Sequence, residues 1–385
     1  MIPPWLHWIW SRPSRRATEL LLWPLSVLEA AYGATMDLRA RAYSRGWMRT
    51  EELPVPVISV GNLVVGGTGK TPLVIHLAER LRAKGYHPGI LSRGYGGSNV
   101  KKGGHALLVS DGERVLASPA QAGDEPVLMA QRLPAVPVAV GARRVEAGRL
   151  LLKHCVVDVL LLDDGFQHLS LRRDADVVLV DAGVPFGNGH RLPRGPLREL
   201  PTALERADLL VVRLTGDAPD SGPPLLKDLS AQTSGAPLLV ARTVVEGIHT
   251  ADSTPLELAP GTPVTAFCGI GVPERFRATL EQMPEVRLLG MTALPDHANY
   301  TSARLADLAW RAGRAGAEAV LTTEKDWVKV APVWPGPLPL AAVRIGLQLE
   351  PPVSPGGRAP RDGDAWLTFL METARERYRR RSGSG

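Results

Sequence analysis

With 385 residues, 44% of them hydrophobic, the chain is long enough to bury a sizeable core and to form two domains. It has two cysteines, Cys155 and Cys268, both in apolar segments, which argues against a disulfide framework or a cysteine metal cluster and favours a reducing compartment. The net charge of +6 is compatible with nucleic acid, an anionic membrane or an acidic substrate, so the distribution of charge must decide between them.

The first 50 residues combine basic and aromatic side chains. They hold seven arginines, three acids and five of the nine tryptophans, a mixture that suits the headgroup layer of a membrane. Four apolar residues follow at helical spacing: Leu25, Leu28, Tyr32 and Met36. The most apolar run, residues 20–28, is far shorter than the roughly twenty residues that span a bilayer. We predict an amphipathic, membrane-associated helix in residues 1–50; the alternative is a helix packed on the protein's own core.

A glycine-rich turn follows in the stretch SVGNLVVGGTGKTPLVIHLAERL, residues 59–81. It lies between a β-branched run at 55–60, predicted as a strand, and a helical pattern at 71–81. Glycine backbone N–H groups at a helix start can surround a phosphate, Lys70 adds a charge, and Thr71 adds a hydroxyl for Mg²⁺. The general phosphate-loop pattern would place another glycine at Val64, so the strict match fails, and a glycine turn that binds no nucleotide is the alternative.

Beyond this turn, strand-like and helix-like segments alternate, which predicts a doubly wound, parallel α/β sheet. Further strands are predicted at 88–91, 136–140, 156–162, 177–180 and 209–212, and helices at 125–132, 143–153 and 200–206. A stretch rich in Gly, Pro, Asp and Ser at 215–235 predicts a linker or an insertion, and a second block has strands near 237–240, 264–268 and 319–322. We therefore divide the chain into residues 1–50, 51–235 and 236–385. The basic tail RERYRRRSGSG is predicted to be a frayed, solvated end.

Three acidic motifs are candidates for chemistry. In VVDVLLLDDGFQH a buried strand ends in Asp163 and Asp164, at the sheet edge where ligands of open α/β folds bind and where a carboxylate can hold Mg²⁺. Asp124 in AGDEP stands at a helix start, so that capping is its ordinary explanation. Asp296 and His297 in PDHANY could equally belong to a surface turn.

Seven strings in this order, GNLVVGGTGKTP, LSRGYGG, GDEP, LLLDDGFQH, FGNGHRLPRGPLRE, PDHANY and TTEKDWVK, give the chain a specific resemblance to a known family. The sequence resembles the tetraacyldisaccharide 4'-kinases of lipid A biosynthesis from residue 61 to residue 329. The family's loop has the same spacing, so Val64 is no departure from it. Arg191 and Arg194 stand where we expect apolar or small residues, and we expect them to tune lipid contacts.

The resemblance implies transfer of the γ-phosphate of ATP to the 4'-hydroxyl of a tetraacylated glucosamine disaccharide 1-phosphate, which gives lipid IVA. It implies two doubly wound α/β/α domains, the first like a P-loop NTPase, with the active site in the cleft between them. It also implies a peripheral location on the cytoplasmic face of the bacterial inner membrane. The expected partners are the lipid substrate and the anionic membrane surface, with no nucleic acid and no obligate protein partner.

Site residues are carried over from the matching motifs. ATP is assigned to the phosphate loop and one glutamine: Gly66, Gly67, Thr68, Gly69, Lys70, Thr71 and Gln167. Mg²⁺ is assigned to Thr71, Asp163, Asp164 and Glu199. Asp124 and His297 are expected to form the acid–base pair, and Lys70 and Asp164 to take part in catalysis. Arg93, Tyr95 and Arg143 are expected to line the cleft.

Two other classes of protein remain as alternatives. A P-loop ATPase that acts as a switch or metallochaperone would need neither the aromatic, basic N-terminus nor an acceptor site. A nucleic-acid-binding module would need basic residues interleaved with stacking aromatics on a folded face, whereas the aromatics here concentrate at the N-terminus.

Overall fold

One mixed sheet of twelve strands runs through the protein in the computed structural model, which describes residue 10 and residues 23–98, 105–214, 222–250, 254–350 and 364–383. The strands are β1 (Val57–Gly61), β2 (Pro88–Ser92), β3 (Leu107–Ser110), β4 (Val138–Val140), β5 (Val159–Asp163), β6 (Ala175–Asp181), β7 (Leu209–Leu214), β8 (Leu238–His249), β9 (Thr262–Cys268), β10 (Val286–Ala293), β11 (Ala319–Thr323) and β12 (Leu340–Glu350). The helices are α1 (Trp23–Ser44), α2 (Lys70–Ala83), α3 (Pro119–Ala122), α4 (Asp124–Arg132), α5 (Arg144–His154), α6 (Gly222–Ala231), α7 (Pro273–Glu281), α8 (Ser302–Arg314), α9 (Glu324–Val330) and α10 (Ala365–Ser382). The α/β class predicted from the alternation is confirmed, but the sheet is not wholly parallel as predicted, because β8 pairs antiparallel with β12 and β3 with β4. The predicted helix at 200–206 is a 3-10 turn over Pro201–Arg206.

The strand order is β10-β9-β11-β12-β8-β7-β6-β1-β5-β2-β4-β3. The central strands β1, β5 and β6 are buried at every position, as expected of parallel strands that are covered on both faces. We call one side of this order the first lobe: strands β7, β6, β1, β5, β2, β4 and β3 with their helices. The second lobe is made of strands β10, β9, β11 and β12 with their helices.

The two lobes share β8, so that the sheet is continuous where two domains were expected. The first residues of β8 pair in parallel with β7, and residues from Val240 onward pair antiparallel with β12. Of the linker predicted at 215–235, residues 215–221 lie outside the described residues, and the remainder is not a linker throughout, because it contains helix α6 (Gly222–Ala231). The domain boundary at residue 235 stays a prediction. The connection between the lobes therefore includes a pair of hydrogen-bonded strands, which we call the β8–β12 ribbon.

A buried arginine joins helices of both lobes at this ribbon. Arg132, the last residue of α4, lies 2.7 Å from Glu246 of β8 and 2.7 Å from Glu324 at the start of α9. It also donates to the carbonyl of Ile345 in β12 at 3.3 Å. Because removing one partner would leave buried charge uncompensated, the group fixes how α4 and α9 meet.

The C-terminal helix α10 returns to the first lobe, and it corrects the prediction of a frayed tail. Trp366 and Leu370 lie in the same hydrophobic cluster as the core of α2. Near the end of the helix, Arg381 binds the buried Asp174 at 2.9 Å, and Asp174 accepts the N–H of Val57 where β1 begins. Residues 375–382 of the basic tail are thus helical, and part of their charge is paired inside the protein.

Helix α1 lies on the loop that precedes the 3-10 turn. Its Glu29 accepts the N–H of Arg191, and its Asp37 binds the Arg191 guanidinium at 3.1 Å. A side chain at Gly33 would collide with that guanidinium, so the glycine permits the contact. Arg191 and Arg194 both pair with acids of α1, since Arg194 lies 3.9 Å from Glu29, and their expected effect on lipid contacts stays a prediction.

The apolar stripe predicted on α1 is divided between two faces. Leu25, Tyr32 and Met36 are half-buried against the protein, and Tyr32 donates to the carbonyl of Arg198 at 3.2 Å, whereas Leu28 is exposed. A different row of apolar residues faces outward: Trp23, Val27, Ala31, Ala34 and Leu38. Trp5, Trp8, Arg12, Arg15 and Arg16 lie outside the described residues. Among the helices that are described, none is long and apolar enough to cross a membrane.

Candidate active site

The phosphate loop, residues 62–69, leaves the carboxyl end of β1 and enters α2. Gly66 and Gly69 have φ of 126° and 96°, a conformation that residues with a side chain rarely adopt. Asn62, buried beneath the loop, donates to the hydroxyl of Thr68 at 2.8 Å and accepts from the ammonium of Lys70 at 3.2 Å. Asn62 was not predicted as a site residue, and it holds the loop and its lysine together.

The absence of a glycine at position 64 has a local explanation. Val64 is buried and forms a bridge with Leu197, and the N–H of Val65 donates to the carbonyl of Pro196 at 2.8 Å. The first part of the loop is therefore extended and paired to residues 196–197, so it has no need of glycine there. The turn that can surround an anion is confined to residues 66–69.

Asp164 is held between two cations at the carboxyl end of β5. Arg198 lies 2.8 Å and Lys70 lies 3.5 Å from its Oδ1 atom. Burial opposes its ionisation, but the charges of Lys70 and Arg198 lower the pKa of Asp164 to about 2. The carboxylate is therefore charged at neutral pH. Gln167 links the same loops, because its amide donates to the carbonyl of Asn62 at 3.0 Å and its oxygen accepts from Arg198 at 3.3 Å.

Asp163, next to Asp164, is buried and accepts a hydrogen bond from the hydroxyl of Ser92 at 2.8 Å. Burial, with the neighbouring charges of Glu125 and Asp164, raises the pKa of Asp163 above its ordinary value. A cation at this carboxylate would relieve that cost, so its surroundings fit a divalent metal. Thr71 lies in the first turn of the adjacent helix α2.

Glu199, the fourth predicted metal ligand, has a different partner. Its carboxylate binds Arg206 at 2.9 Å, and the Arg206 guanidinium lies over the ring of Phe166 at 4.4 Å from the ring centre. Within the described residues, no three His, Cys, Asp or Glu side chains are grouped so that they could hold a metal. The structure thus places Asp163 and Asp164 together and does not add Glu199 to them in such a group.

Asp124 and His297 meet between the lobes, although 173 positions separate them. His297 Nδ1 lies 3.2 Å from Asp124 Oδ2, and the Lys329 ammonium lies 3.0 Å from the same oxygen. Burial opposes ionisation of Asp124, but the hydrogen bond from His297 and the charge of Lys329 hold its pKa below the ordinary value. The residue that caps α4 is Gly123, and no side-chain capping bond is present, so the capping explanation for Asp124 fails.

Tyr95 and a buried arginine complete this edge of the sheet. The ring of Tyr95 lies 5.7 Å from that of His297, measured between ring centres. Arg143, predicted to line the cleft, turns outward and binds Glu51 and Glu146. Its neighbour Arg144 is instead 3% exposed and was missed by the sequence analysis.

Arg144 belongs to a group of four arginines around His168. Burial, followed by these positive charges, lowers the pKa of His168 to about 3, so the imidazole is neutral at physiological pH. The four arginines, in decreasing order of their effect on the pKa of His168, are Arg144, Arg173, Arg39 and Arg93. Two of these arginines are engaged within the protein, since Arg144 donates to the carbonyl of Gly141 at 3.1 Å and Arg173 binds Asp176 at 2.8 Å.

Comparison with known proteins places these features in context. A family model described as Tetraacyldisaccharide-1-P 4'-kinase matches residues 18–354. The chain is 43% identical over 338 residues to the tetraacyldisaccharide 4'-kinase of Syntrophus aciditrophicus, covering 85% of this chain and 89% of that protein. It is 41% identical over 344 residues to the same-named protein of Anaeromyxobacter sp. strain Fw109-5, covering 88% and 91%. A crystal structure of LpxK from Aquifex aeolicus in complex with ATP is similar with a TM-score of 0.72 and 30% identity, over 92% of this chain and 99% of that one.

Proposed function

The chain belongs to the tetraacyldisaccharide-1-phosphate 4'-kinase family, and on that premise we propose a role for each part of its site. The protein transfers the γ-phosphate of ATP to the 4'-hydroxyl of tetraacyldisaccharide 1-phosphate, in lipid A biosynthesis. A bond forms between the hydroxyl oxygen and phosphorus, the bond from phosphorus to the leaving oxygen of ADP breaks, and the hydroxyl proton must pass to a base. The protein's part in such a transfer is mainly to position the groups and to stabilise charge.

The nucleotide half of the site is the first lobe, which acts as a P-loop NTPase-like domain. Residues 66–69 direct backbone N–H groups toward the phosphates at the start of α2, where the helix dipole favours negative charge. The ammonium of Lys70 stabilises the negative charge that develops on the transferred phosphoryl group. Asn62 and Gln167 hold the loop in its conformation through their hydrogen bonds.

Mg²⁺ fits beside Asp163, whose buried carboxylate lacks the paired cations that surround Asp164. Asp163 and Thr71 would hold the ion directly or through water, with Asp164 next to them. When bound, the ion supplies positive charge to the phosphate oxygens. Glu199 acts on the metal through its charge at longer range and not as a direct ligand, since its carboxylate binds Arg206.

The acceptor half of the site is the Asp124–His297 pair, and this contact across the lobes is the observation that carries the proposal. Asp124 takes the proton of the 4'-hydroxyl, and His297 orients the carboxylate. Because the pair has one member in each lobe, the base is assembled only when the lobes are close together, which limits transfer of phosphate to water.

The reaction is tested with the purified chain, Mg-ATP and the disaccharide 1-phosphate in detergent, with mass spectrometry of the lipid. We expect the lipid to gain the mass of one phosphate, and the gain to require both ATP and the protein. A soluble ATPase switch would instead produce ADP with no change in the lipid, and that outcome would contradict the proposal.

Helix α1 attaches the protein to the membrane by its outward apolar row. Trp23, Val27 and Leu38 are 66%, 59% and 60% exposed, which is unusual for large apolar side chains on one side of a helix. The opposite side of α1 is bound to the loop that carries Arg198, and the N–H of Arg198 donates to the carbonyl of Leu63 in the phosphate loop at 2.7 Å. We therefore propose a peripheral location at the cytoplasmic face of the inner membrane, where the acylated substrate lies.

We expect the double variant Val27→Glu, Leu38→Glu to bind anionic phospholipid vesicles at least about tenfold more weakly than the unaltered chain. Each change removes apolar burial worth about 1.5 kcal/mol or more and places a negative charge at a negative surface. The measurement is co-sedimentation with vesicles. Val156→Glu is the matched control, because Val156 is 84% exposed but lies far along the chain in the first lobe. Unchanged sedimentation of the double variant would show that another surface binds the membrane.

A further inference from the structure

Two lysines of α9 bind the start of α4 across the lobes. Lys325 lies 3.7 Å from Glu125, and Lys329, one turn later on the same face, lies 3.0 Å from Asp124. Both side chains are 17% exposed. The string TTEKDWVK thus supplies cations to two successive acids of the other lobe, and nothing in the role assigned to Asp124 and His297 accounts for them.

The Lys329 ammonium is fixed by several neighbours. It donates to the carbonyl of Ala298 at 3.4 Å, lies over the ring of Tyr300 and is 3.7 Å from the buried Asp326. Asp326 is itself bound by the N–H of Gly269 at 2.8 Å. A cation restrained in this way stays beside Asp124 without needing to be placed there by the substrate.

We propose that Lys329 is a positioning residue for the phosphoryl transfer, which holds Asp124 as a carboxylate with Oδ2 bound and Oδ1 directed to the acceptor hydroxyl. The inference rests on the proposed function of Asp124 as the base. His297 and Lys329 both bind Oδ2, so the proton of the hydroxyl passes to Oδ1. A single donor would leave the carboxylate free to rotate, whereas two donors on one oxygen fix its plane.

The other charges near Asp124 are already paired, so Lys329 acts together with the hydrogen bond from His297 to keep Asp124 ionised. Lys325 binds Asp296 at 2.9 Å as well as Glu125, and it lies 3.4 Å from His297 Nε2. Asp326 accepts hydrogen bonds from the N–H of Gly269 and the hydroxyl of Thr323, and it lies 3.7 Å from Lys329. Burial raises the pKa of Tyr300 far above neutrality, so this residue is uncharged. Tyr95, from the loop after β2, contributes its ring beside His297.

The sign of the effect on pH dependence follows from these contacts. Because Lys329 favours the charged form of Asp124, its removal raises the pKa of that carboxyl. The base is active when ionised, so activity that falls on the acid side will begin to fall at a higher pH. Loss of a merely structural contact would lower activity or stability at every pH and leave the position of the acid limb unchanged.

The test compares the kcat/KM of the full chain from roughly pH 5 to pH 9 for Lys329→Met, Lys329→Gln and Lys329→Arg. We expect Lys329→Met and Lys329→Gln to move the acid limb of the profile to a pH higher by about 1 unit or more, with little change in the KM for ATP. Lys329→Arg should keep most of the original profile. Lys329→Gln keeps a hydrogen-bond donor near Asp124 without the charge, so it provides the same test if Lys329→Met does not fold. Lys153→Met, an exposed lysine on α5, is the matched control.

An acid limb that stays in place for both Met and Gln, with a lower unfolding temperature, would overturn the inference. The proposed function is tested separately by Asp124→Asn. If Asp124→Asn is inactive and the limb does not move in the lysine variants, only the role of Lys329 is wrong. If Asp124→Asn keeps its turnover, the assignment of the base itself is wrong, and the role of Lys329 fails with it.

Discussion

Lys70→Ala is expected to lower phosphoryl transfer by about 10³-fold or more while the fold stays intact. The side chain of Lys70 is 13% exposed, and its ammonium lies between Asn62 and Asp164 at the end of the phosphate loop. Its charge stabilises the transferring phosphoryl group, and no other cation in the loop can replace it. The fold tolerates the change because Asp164 keeps its contacts with Arg198.

The measurements are turnover with the lipid acceptor and the circular dichroism spectrum of the same preparation. Lys153→Ala provides the control, since this lysine is exposed on α5 and has no part in the proposed site. Near-normal turnover of a normally folded Lys70→Ala protein would mean that residues 66–71 do not hold the nucleotide.

Asp124→Asn is expected to reduce turnover by roughly 10²- to 10⁴-fold, the range typical of a lost general base. Asn has the same size and can still receive a hydrogen bond from His297 or Lys329, so the site keeps its shape and nucleotide binding is retained. The helix start is unaffected, because Gly123 is the capping residue. A fully active Asp124→Asn enzyme would transfer the role of base to another acid, with Asp164 the next candidate. The pairing of Asp164 with two cations makes it a much weaker base.

His297→Ala tests whether the two residues act as a unit. We expect lower turnover with little change in ATP affinity, and a double variant with Asp124→Asn that is scarcely worse than the poorer single variant. Turnover and ATP binding are measured on all three proteins. Effects that simply multiply would show that His297 acts independently of Asp124.

The sequence was most informative where one local pattern carried the chemistry. The strand, glycine turn and helix around Lys70 lie as predicted, to within about two residues, because each signal is local. Asp163 and Asp164 follow a fully buried strand, as the apolar run indicated. The resemblance to the kinase family is confirmed by the family model and by the curated relatives.

Contacts between distant segments could not be predicted from periodicity. Strand β12 was missed, and β8 was predicted to end at residue 240, because their pairing joins segments about a hundred positions apart. Lys329 is one charged residue in a short helix, and nothing local marks it as the partner of Asp124. Arg143 and Arg144 are adjacent in sequence, and the phase of α5, which begins at Arg144, decides which one is buried.

The twist of the β8–β12 ribbon affects the distance between the two halves of the site. Arg132 binds both strands of the ribbon, and Asp124 lies about 12 Å away at the other end of α4. A change of about 10° in the twist of the ribbon, within the range that paired strands show, displaces Asp124 by about 2 Å. Because the contact between Asp124 and His297 is 3.2 Å long, a displacement of that size is enough to break it.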